Sequence, residues 1–172
     1  MSEAAEETVW QGKFIAAKRR GQWEYVSRAR GIQAAVIVAI EDGHVILVEQ
    51  FRVPLGRRCL ELPAGLVGDE QAGEDVLTSA ARELEEETGY RADRVESMGD
   101  YFSSPGMVSE GFTLVRATGL TRVSEGGGTA DEDIVVHRVA LADLPVFVEE
   151  KRTAGVGIDV KMLLLLSPYL LG

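Results

Sequence analysis

The apolar stretch IQAAVIVAI, from Ile32 to Ile40, constrains the fold of this chain more than any other feature of its sequence. A run without polar alternation is typical of a strand that is buried on both faces. The turn Glu-Asp-Gly-His at 41–44 then returns the chain into a second strand-like segment at 45–51. The pattern therefore predicts a sheet in which this stretch is a central strand.

Extended and helical patterns alternate over the rest of the chain. We expect further extended segments at 57–63, 95–102, 111–117 and 134–139, and helices at 74–88, 142–152 and 158–170. The strand-like segments 9–17 and 23–30 flank an Arg-Gly-Gln turn and predict an N-terminal β-hairpin, and residues 1–8 predict a disordered acidic tail. No repeat or long linker divides the remainder, so we expect one α/β domain over 31–172.

The balance of charge limits the partners of this protein. Its 172 residues include 18 Lys and Arg against 28 Asp and Glu, for a formal charge of −10. A surface that negative repels phosphate backbones and anionic lipids, and we expect neither nucleic acid nor a membrane as partner. An acidic protein can still bind a small phosphate compound if a cation lies between the two.

Three features of the sequence predict a cytoplasmic protein. The single Cys59 cannot form an internal disulfide, which fits a reducing compartment. The first ten residues lack the basic start and apolar stretch of a secretory signal. The longest apolar runs fall far short of the roughly 20 residues that span a bilayer.

The segment 74–88 combines an apolar stripe with a cluster of carboxylates. At about 100° of rotation per residue, the apolar residues share one stripe that we expect to pack on the sheet: Val76, Leu77, Ala80, Ala81 and Leu84. Glu83, Glu86 and Glu87 fall on an adjoining arc, whereas Glu85 points elsewhere. A glutamate-rich helix is more often a solvated surface than a site. The residues around it decide between the two.

Mutual repulsion makes this carboxylate cluster unfavourable by itself. Glu83 and Glu87 are one helical turn apart, and both lie near the helix C-terminus, where the helix dipole disfavours anions. Arg82 can offset part of the repulsion by reaching Glu86. A divalent cation would offset far more, and oxygen ligands select Mg²⁺ or Mn²⁺.

A fixed spacing surrounds these carboxylates. In order, the chain has Gly68, five residues, Glu74, seven residues, Arg82-Glu83-Leu84, one residue, Glu86-Glu87, one residue and Gly89-Tyr90. Apart from the apolar Leu84 and Tyr90, the seven fixed positions would match by chance at about 10⁻⁸ per start site. This pattern resembles the Nudix box, in which the two glycines allow the turns at either end of the helix.

The resemblance to the Nudix family implies both a fold and a chemistry. The implied fold is an α/β/α sandwich with a mixed β-sheet. The implied activity is metal-dependent hydrolysis of a nucleoside diphosphate linked to another moiety. Glu83, Glu86 and Glu87 would bind the metal, Glu86 would also take part in catalysis, and Arg82 would orient the carboxylates.

Segments before and after the box resemble the ADP-ribose pyrophosphatase subfamily. Glu61-Leu62-Pro63-Ala64-Gly65 precedes the box, and the resemblance makes the Ala64 carbonyl a further metal ligand. The segment 103–110, SSPGMVSE, follows the box and implies substrate contacts by Ser104, Gly106 and Glu110. An ordinary turn is the alternative interpretation of each segment.

Three residues upstream of the box complete the expected substrate site. By the same resemblance, Trp23 would stack on adenine, and Arg28 and Arg52 would face the phosphates or the ribose. The alternatives are a hairpin-core or dimer-contact role for Trp23 and surface ion pairs for the arginines. The hairpin at 9–30 resembles a sheet through which this subfamily forms homodimers.

The subfamily takes its general base from an acidic loop beyond the box helix. The corresponding segment is 130–133, and Glu132 is our choice, with Asp131, Asp133 and Glu125 left open. The glycine-rich segment 125–129 would either close over bound substrate or form a disordered hairpin tip.

The activity that we expect is hydrolysis of ADP-ribose to AMP and ribose 5-phosphate, with Mg²⁺ as the metal and Mn²⁺ as the alternative. Hydrolysis of another sugar nucleotide, such as GDP-mannose, is the second hypothesis. A nucleotide-binding sensor on an inactive scaffold is the third. An inactive scaffold would be expected to lose box carboxylates, and this chain retains all of them.

Overall fold

The computed structural model describes residues 4–29, 31, 33–68, 73–128 and 132–171, and over these it contains eleven strands and three α-helices. The strands are β1 (Glu6–Gln11), β2 (Ile15–Arg20), β3 (Trp23–Arg28), β4 (Ala34–Glu41), β5 (His44–Arg52), β6 (Arg57–Glu61), β7 (Ala64–Leu66), β8 (Tyr90–Phe102), β9 (Gly111–Arg122), β10 (Val135–Ala140) and β11 (Gly157–Ile158). The helices are α1 (Val76–Thr88), α2 (Leu144–Thr153) and α3 (Leu163–Leu171), and short 3₁₀ turns cover Val53–Leu55 and Val160–Met162.

The N-terminal segment is a three-stranded antiparallel sheet. β2 and β3 form the predicted hairpin around the turn at 20–22, but the single strand expected at 9–17 is wrong, because this stretch is divided between β1 and β2. The chain turns between β1 and β2, where the Gly12 N–H donates to the Ile15 carbonyl at 2.9 Å. The predicted disordered tail is also wrong over residues 6–8, because β1 begins at Glu6. Cross-strand ion pairs hold that end, with Glu6 2.6 Å from Lys18 and Glu7 2.8 Å from Arg19. Ion pairs between residues this far apart in sequence cannot be predicted from a local sequence pattern.

The main sheet is mixed, in the strand order β11-β6-β5-β4-β9-β8, with β10 also pairing with β5 and β7 with β4. β4 runs parallel to β9, and β11 runs parallel to β6. The predicted central strand is confirmed from Ala34 onward, and all side chains of β4 from Ala35 to Ala39 are buried. Ile32 lies outside the described residues.

Helices cover both faces of this sheet, as expected of an α/β/α sandwich. On one face, Ala35 and Ile37 of β4 pack in a cluster with Ala80 and Leu84 of α1. On the other face, a second cluster joins the sheet to the remaining helices: Val36, Val38, Leu144, Val148, Met162 and Leu166. In the part of the chain that the structure describes, no helix has the length and apolar character to cross a membrane.

Several element boundaries differ from the sequence expectation. β7 and β11 were not expected, and each pairs with a strand distant in sequence, β4 and β6. The helix expected at 158–170 begins only at Leu163, after β11 and a 3₁₀ turn, and Pro168 lies inside it. β8 starts at Tyr90, directly after α1, because it pairs along the full length of β9.

The strands β4 and β5 diverge, and this opens the sheet at one end. They pair only at Ile40–Val45 and Glu41–His44, beside the turn that joins them. Farther along, β7 pairs with the start of β4 at 34–36. The space between β5 and β7 is therefore free to form a cavity.

Candidate active site

A cavity of about 640 Å³ occupies the place where β4 and β5 diverge. Strands from the sheet, helix α1 and the turn before α3 all contribute to its wall. Most of its charged lining residues are acidic: Glu61, Glu83, Glu86, Glu87, Glu110 and Glu132. The basic residues of the lining are Arg28, Arg52, Arg82 and Lys161.

Helix α1 forms as its sequence predicts and begins two residues later. The Asp75 side chain accepts the N–H groups of Leu77 at 3.0 Å and Thr78 at 3.3 Å, which satisfies donors that a helix N-terminus leaves free. At the other end Gly89 has a φ of 73°, and its N–H donates to the Glu85 carbonyl at 2.9 Å. Gly68 also has a positive φ, 80°. Both glycines of the box therefore make the turns expected of them.

The three expected metal ligands on α1 share the wall of the cavity. Glu83, Glu86 and Glu87 line it, whereas Glu85 pairs with Arg91 at 2.9 Å outside it. Glu87 is 5% exposed and accepts the Ala64 N–H at 3.1 Å. The arc predicted from helical rotation is therefore confirmed as an arrangement of side chains.

Gly65 permits the close approach of β7 to α1. A Cβ atom at this position would lie 2.1 Å from the Glu83 side chain, so any other residue here would force that side chain to move. The glycine of the Glu61–Gly65 segment thus lets Glu83 keep its position against the strand. The same contact places Ala64 on the cavity wall, beside Glu87.

Burial makes the charged form of two carboxylates unfavourable. Desolvation raises the pKa of Glu87 to about 8, with smaller contributions from the nearby charges of Glu83 and Glu132, against the opposing hydrogen bond from Ala64. Desolvation also raises the pKa of Glu83, where the Arg82 guanidinium opposes the shift. A bound cation would favour the charged form of both carboxylates.

Arg82 makes several ion pairs with the acidic residues of the box. It lies 3.0 Å from Glu83, 2.9 Å from Glu86 and 3.5 Å from Glu74. The contact with Glu86 one turn away is the contact expected from the sequence. Arg82 therefore fixes the orientation of the carboxylates on this wall.

The donor set suits a hard divalent cation. Carboxylate oxygens line this wall, and the buried Glu87 has a pKa near 8 that a cation would lower. Within the described residues, no three acidic, histidine or cysteine side chains are already arranged as a metal site. Arg82 pairs with Oε1 of Glu83 and Oε2 of Glu86, and the second oxygen of each carboxylate can bind a cation while these pairs are kept.

The cavity also contains part of the expected substrate site. Arg28 donates to Glu110 at 2.5 Å, and Arg52 donates two bonds to Glu61 at 2.7 and 2.8 Å. Both arginines form ion pairs, as the alternative interpretation held, and both ion pairs lie in the cavity wall.

Three other expected substrate contacts lie away from this cavity in the single chain. Trp23 is 64% exposed at the start of β3, and neither Ser104 nor Gly106 lines the cavity, although Ser103 does. The Ser104 carbonyl accepts the Met107 and Val108 N–H groups at 3.0 and 2.9 Å, which makes a turn. Their substrate-binding roles stay predictions.

Glu132 is the acidic-loop residue that the structure brings to the cavity. Asp133 pairs instead with Arg58 at 2.6 Å, and Glu125 is highly exposed and pairs with Arg122 at 2.7 Å. Asp131 lies outside the described residues. Among the candidates that the structure describes, geometry therefore favours Glu132.

The glycine-rich segment makes a contact that neither sequence interpretation included. The Gly127 N–H donates to the Glu87 carbonyl at 2.8 Å, and the Gly128 N–H donates to the Glu86 carbonyl at 3.1 Å. The segment 124–128 thus satisfies carbonyls that the end of α1 would leave free. It is docked on the helix that carries the carboxylates and is not a free tip. Closure over a substrate stays a hypothesis.

Sequence reasoning missed several residues of the lining. Glu61 belongs to the segment 61–65, which pointed to Ala64 in the sequence analysis. Its place in that segment, at an expected strand, was the signal that could have identified it. Gln50, Ser103, Phe112 and Lys161 also line the cavity. Lys161 belongs to no motif that we identified, and only the fold brings it here.

Comparisons with known proteins find relatives by sequence and by structure. The chain is 34% identical over 119 residues to a methanol dehydrogenase activator of Bacillus methanolicus, a match that covers 69% of this chain and 63% of that protein. It is 36% identical over 118 residues to an ADP-ribose pyrophosphatase of Bacillus subtilis, covering 68% of this chain and 62% of that protein. The chain thus matches slightly less than two thirds of each of these relatives.

A third relative and a solved structure match more completely. A GDP-mannose pyrophosphatase of Cronobacter sakazakii is 35% identical over 148 residues, covering 80% of this chain and 73% of that protein. The crystal structure of an ADP compounds hydrolase superposes with a TM-score of 0.71 at 25% identity, covering 99% of this chain and 95% of the other. The NUDIX domain family model matches residues 29–154. The chain belongs to the NUDIX family.

Proposed function

We propose that this protein hydrolyses the pyrophosphate bond of a nucleoside diphosphate conjugate in a metal-dependent reaction, and that its preferred substrate is ADP-ribose, cleaved to AMP and ribose 5-phosphate. The observation that carries the proposal is a single cavity that combines the box carboxylates with Arg28 and Arg52. Carboxylates can hold a divalent cation, and arginines suit phosphates. The names of several relatives include ADP-ribose pyrophosphatase.

The α1 wall is the proposed metal-binding face. Glu83, Glu86 and Glu87 would hold Mg²⁺, or Mn²⁺, together with the Ala64 carbonyl. When bound, such an ion neutralises pyrophosphate charge and makes water more acidic. Arg82 keeps two of these carboxylates in place.

Glu132 is the proposed general base. It faces the same cavity as the box carboxylates, and its charge is near enough to Glu83 and Glu87 to raise their pKa values. A carboxylate there can take the proton of an attacking water. Arg28 and Arg52 would bind the anionic and ribose parts of the substrate.

The proposed role of Trp23 is linked to the proposed homodimer. Trp23 lies outside the cavity of its own chain, so stacking on adenine requires either a second copy or a change of position. A homodimer through the N-terminal sheet would supply the second copy. We also propose a cytoplasmic location, with neither nucleic acid nor membrane as partner.

Incubation with a panel of substrates tests the proposed function. The protein is mixed with Mg²⁺ and, separately, ADP-ribose, GDP-mannose, UDP-glucose, NADH or a diadenosine polyphosphate, and kcat/KM is measured from the products. ADP-ribose should give the highest value, with AMP and ribose 5-phosphate as products. Omission of Mg²⁺ and Mn²⁺ is the matched control and should abolish turnover.

The second hypothesis is a preference for GDP-mannose, which the Cronobacter sakazakii relative favours. A preference of about tenfold or more for any non-adenosine conjugate, roughly 1.4 kcal/mol, would remove ADP-ribose as the proposed substrate. Binding of ADP-ribose without turnover of any conjugate would instead favour the nucleotide-binding sensor.

A further inference from the structure

Lys161 is a cavity cation that belongs to none of the motifs described above. It lies in the 3₁₀ turn Val160–Met162, beyond residue 154, where the family match ends. Its neighbour Met162 packs in the cluster on the face of the sheet opposite α1. The cavity wall thus receives carboxylates from one layer of the sandwich and this ammonium group from the other.

Lys161 pairs with a residue two positions away, and its Nζ also lies 5.9 Å from the centroid of the Phe112 ring. Its Nζ lies 2.7 Å from Asp159 Oδ1, with both side chains 20% exposed. The same Oδ1 accepts the backbone N–H of Lys161 at 2.8 Å, which caps the turn. If the ammonium group moves away, the Asp159 carboxylate keeps this backbone bond and its contact with solvent. Nothing buried is left unsatisfied.

Two other cations of the cavity are less free to move. Arg52 makes two bonds to Glu61, whose side chain is only 8% exposed, so that its departure would leave a buried carboxylate without a partner. Arg82 is shared among Glu74, Glu83 and Glu86. A lysine also has a flexible stem and a compact charge, which allows it to change partners.

We propose that Lys161 binds the substrate, by leaving Asp159 and pairing with the charged pyrophosphate group. This inference rests on the proposed function. Arg52 and Arg82 are already paired with carboxylates of the same lining, so a dianionic substrate is best served by a cation that can change partners. Lys161 can therefore offer positive charge to the substrate without leaving a buried carboxylate unpaired.

Steady-state kinetics of the full chain test the role of Lys161. Lys161→Met should raise KM about tenfold for ADP-ribose and for GDP-mannose alike, since both carry the pyrophosphate. We expect kcat to stay within about twofold, because the contact is made in both ground and transition states. Lys161→Arg should restore most of the loss. Arg152→Met is the control, because Arg152 is an exposed cation on α2 outside the cavity lining, and it should leave KM unchanged.

Asp159→Asn separates substrate binding from a structural role. Asparagine can still cap the turn, but it lacks the negative charge that attracts the ammonium group. KM should therefore be equal to or lower than the wild-type value. A rise in KM as large as that of Lys161→Met would show that the pair acts as a structural unit, and would overturn the inference.

Equilibrium binding gives a readout that does not depend on turnover. Titration calorimetry with ADP-ribose in EDTA should show a Kd about tenfold weaker for Lys161→Met than for the wild type. Equal affinities, an unchanged KM, or a loss of kcat alone would overturn the assignment. An effect on KM that differs strongly between the two conjugates would also overturn it, because the contact would then be to the terminal moiety.

The two proposals fail in distinguishable ways. If the wild type hydrolyses no conjugate but binds ADP-ribose, the proposed function fails and the binding comparison still decides the role of Lys161. If the wild type neither hydrolyses nor binds ADP-ribose, both fail. Should Lys161→Met not fold, Lys161→Arg and Asp159→Asn carry the test, and an Asp159→Asn variant with raised KM rejects the inference.

Discussion

At the residue scale, Glu87 shows the conflict between burial and charge most directly. It is 5% exposed on the wall of the cavity, and burial raises its pKa to about 8. The unfolded chain would release this proton near the ordinary value of 4.5. Between these two pH values, Glu87 therefore keeps its proton in the folded protein and has released it in the unfolded chain.

This difference predicts how pH affects the metal-free protein. As pH rises from about 4.5 to about 8, the contribution of protonated Glu87 to folding stability is progressively lost. In EDTA, thermal unfolding temperatures should fall more steeply across this range for the wild type than for Glu87→Gln, whose amide does not titrate. The difference between the two proteins removes the effect of other titrating groups. Parallel curves would contradict the assignment.

The box carboxylates should matter more for turnover than for folding. Glu83→Gln and Glu87→Gln should each lower kcat by at least about 10²-fold, as loss of an electrostatic contact in the transition state does. Without metal, their melting temperatures should stay level or rise, because a neutral amide replaces a carboxylate that is unfavourable whenever it is charged.

Glu85→Gln is the matched control for this prediction. Glu85 is on the same helix, but it pairs with Arg91 outside the cavity. Its variant should keep near-normal turnover. Near-normal turnover of Glu83→Gln or Glu87→Gln at saturating Mg²⁺ would refute the metal assignment.

At the element scale, the C-terminus of α1 and the segment 124–128 form one unit. Gly126 has a φ of 68°, and a Cβ there would lie 2.4 Å from the carbonyl carbon of Thr88 and 2.6 Å from the Gly89 nitrogen. Both atoms belong to the backbone and cannot move aside as a flexible side chain can. The same segment also lies against Glu132, since a Cβ at Gly128 would lie 2.4 Å from a Glu132 carboxylate oxygen.

Gly126→Ala should therefore undock this segment from the helix. Gly155→Ala is the matched control, because Gly155 also has a positive φ, 84°, but has open space around it. The control should lose about 1 kcal/mol from backbone strain alone, and Gly126→Ala should lose at least about 1 kcal/mol more. Its kcat should also fall as Glu132 loses support. Urea unfolding and steady-state kinetics measure both effects, and equal losses in the two variants would contradict the expected contact.

At the scale of the whole molecule, the N-terminal sheet exposes many large apolar side chains. They are Val9, Trp10, Phe14, Ile15 and Trp23, each between 43% and 64% exposed. A small sheet with so much exposed apolar surface can serve as an association surface. Together with the subfamily resemblance, this leads us to expect a homodimer through this sheet.

Sedimentation velocity at micromolar concentration should find a dimer of the full chain. Trp10→Glu should shift it toward monomer, because a charge would be buried in the interface. Val146→Glu is the control, since Val146 is 63% exposed on α2 and lies outside the N-terminal sheet. A monomeric wild type would refute the expectation.

Local periodicity determined the parts of the protein that depend on neighbours in sequence. The helix α1, the common face of Glu83, Glu86 and Glu87, the contact of Arg82 with Glu86 and the turn at Gly89 all follow from helical spacing. The central strand β4 follows from its unbroken apolar run. These features could be predicted because residues up to four apart define them.

Only the tertiary structure decided the features that join distant segments. The sequence alone did not show that β7 pairs with β4, that Gly127 and Gly128 cap α1, or that Lys161 reaches the cavity. Arg52 and Glu61 likewise meet because β5 and β6 pair, nine residues apart. The physical reason is that such contacts depend on how strands pair and layers pack. Those arrangements are set by burial and hydrogen bonding summed over the whole sheet, which no single segment carries in its own sequence.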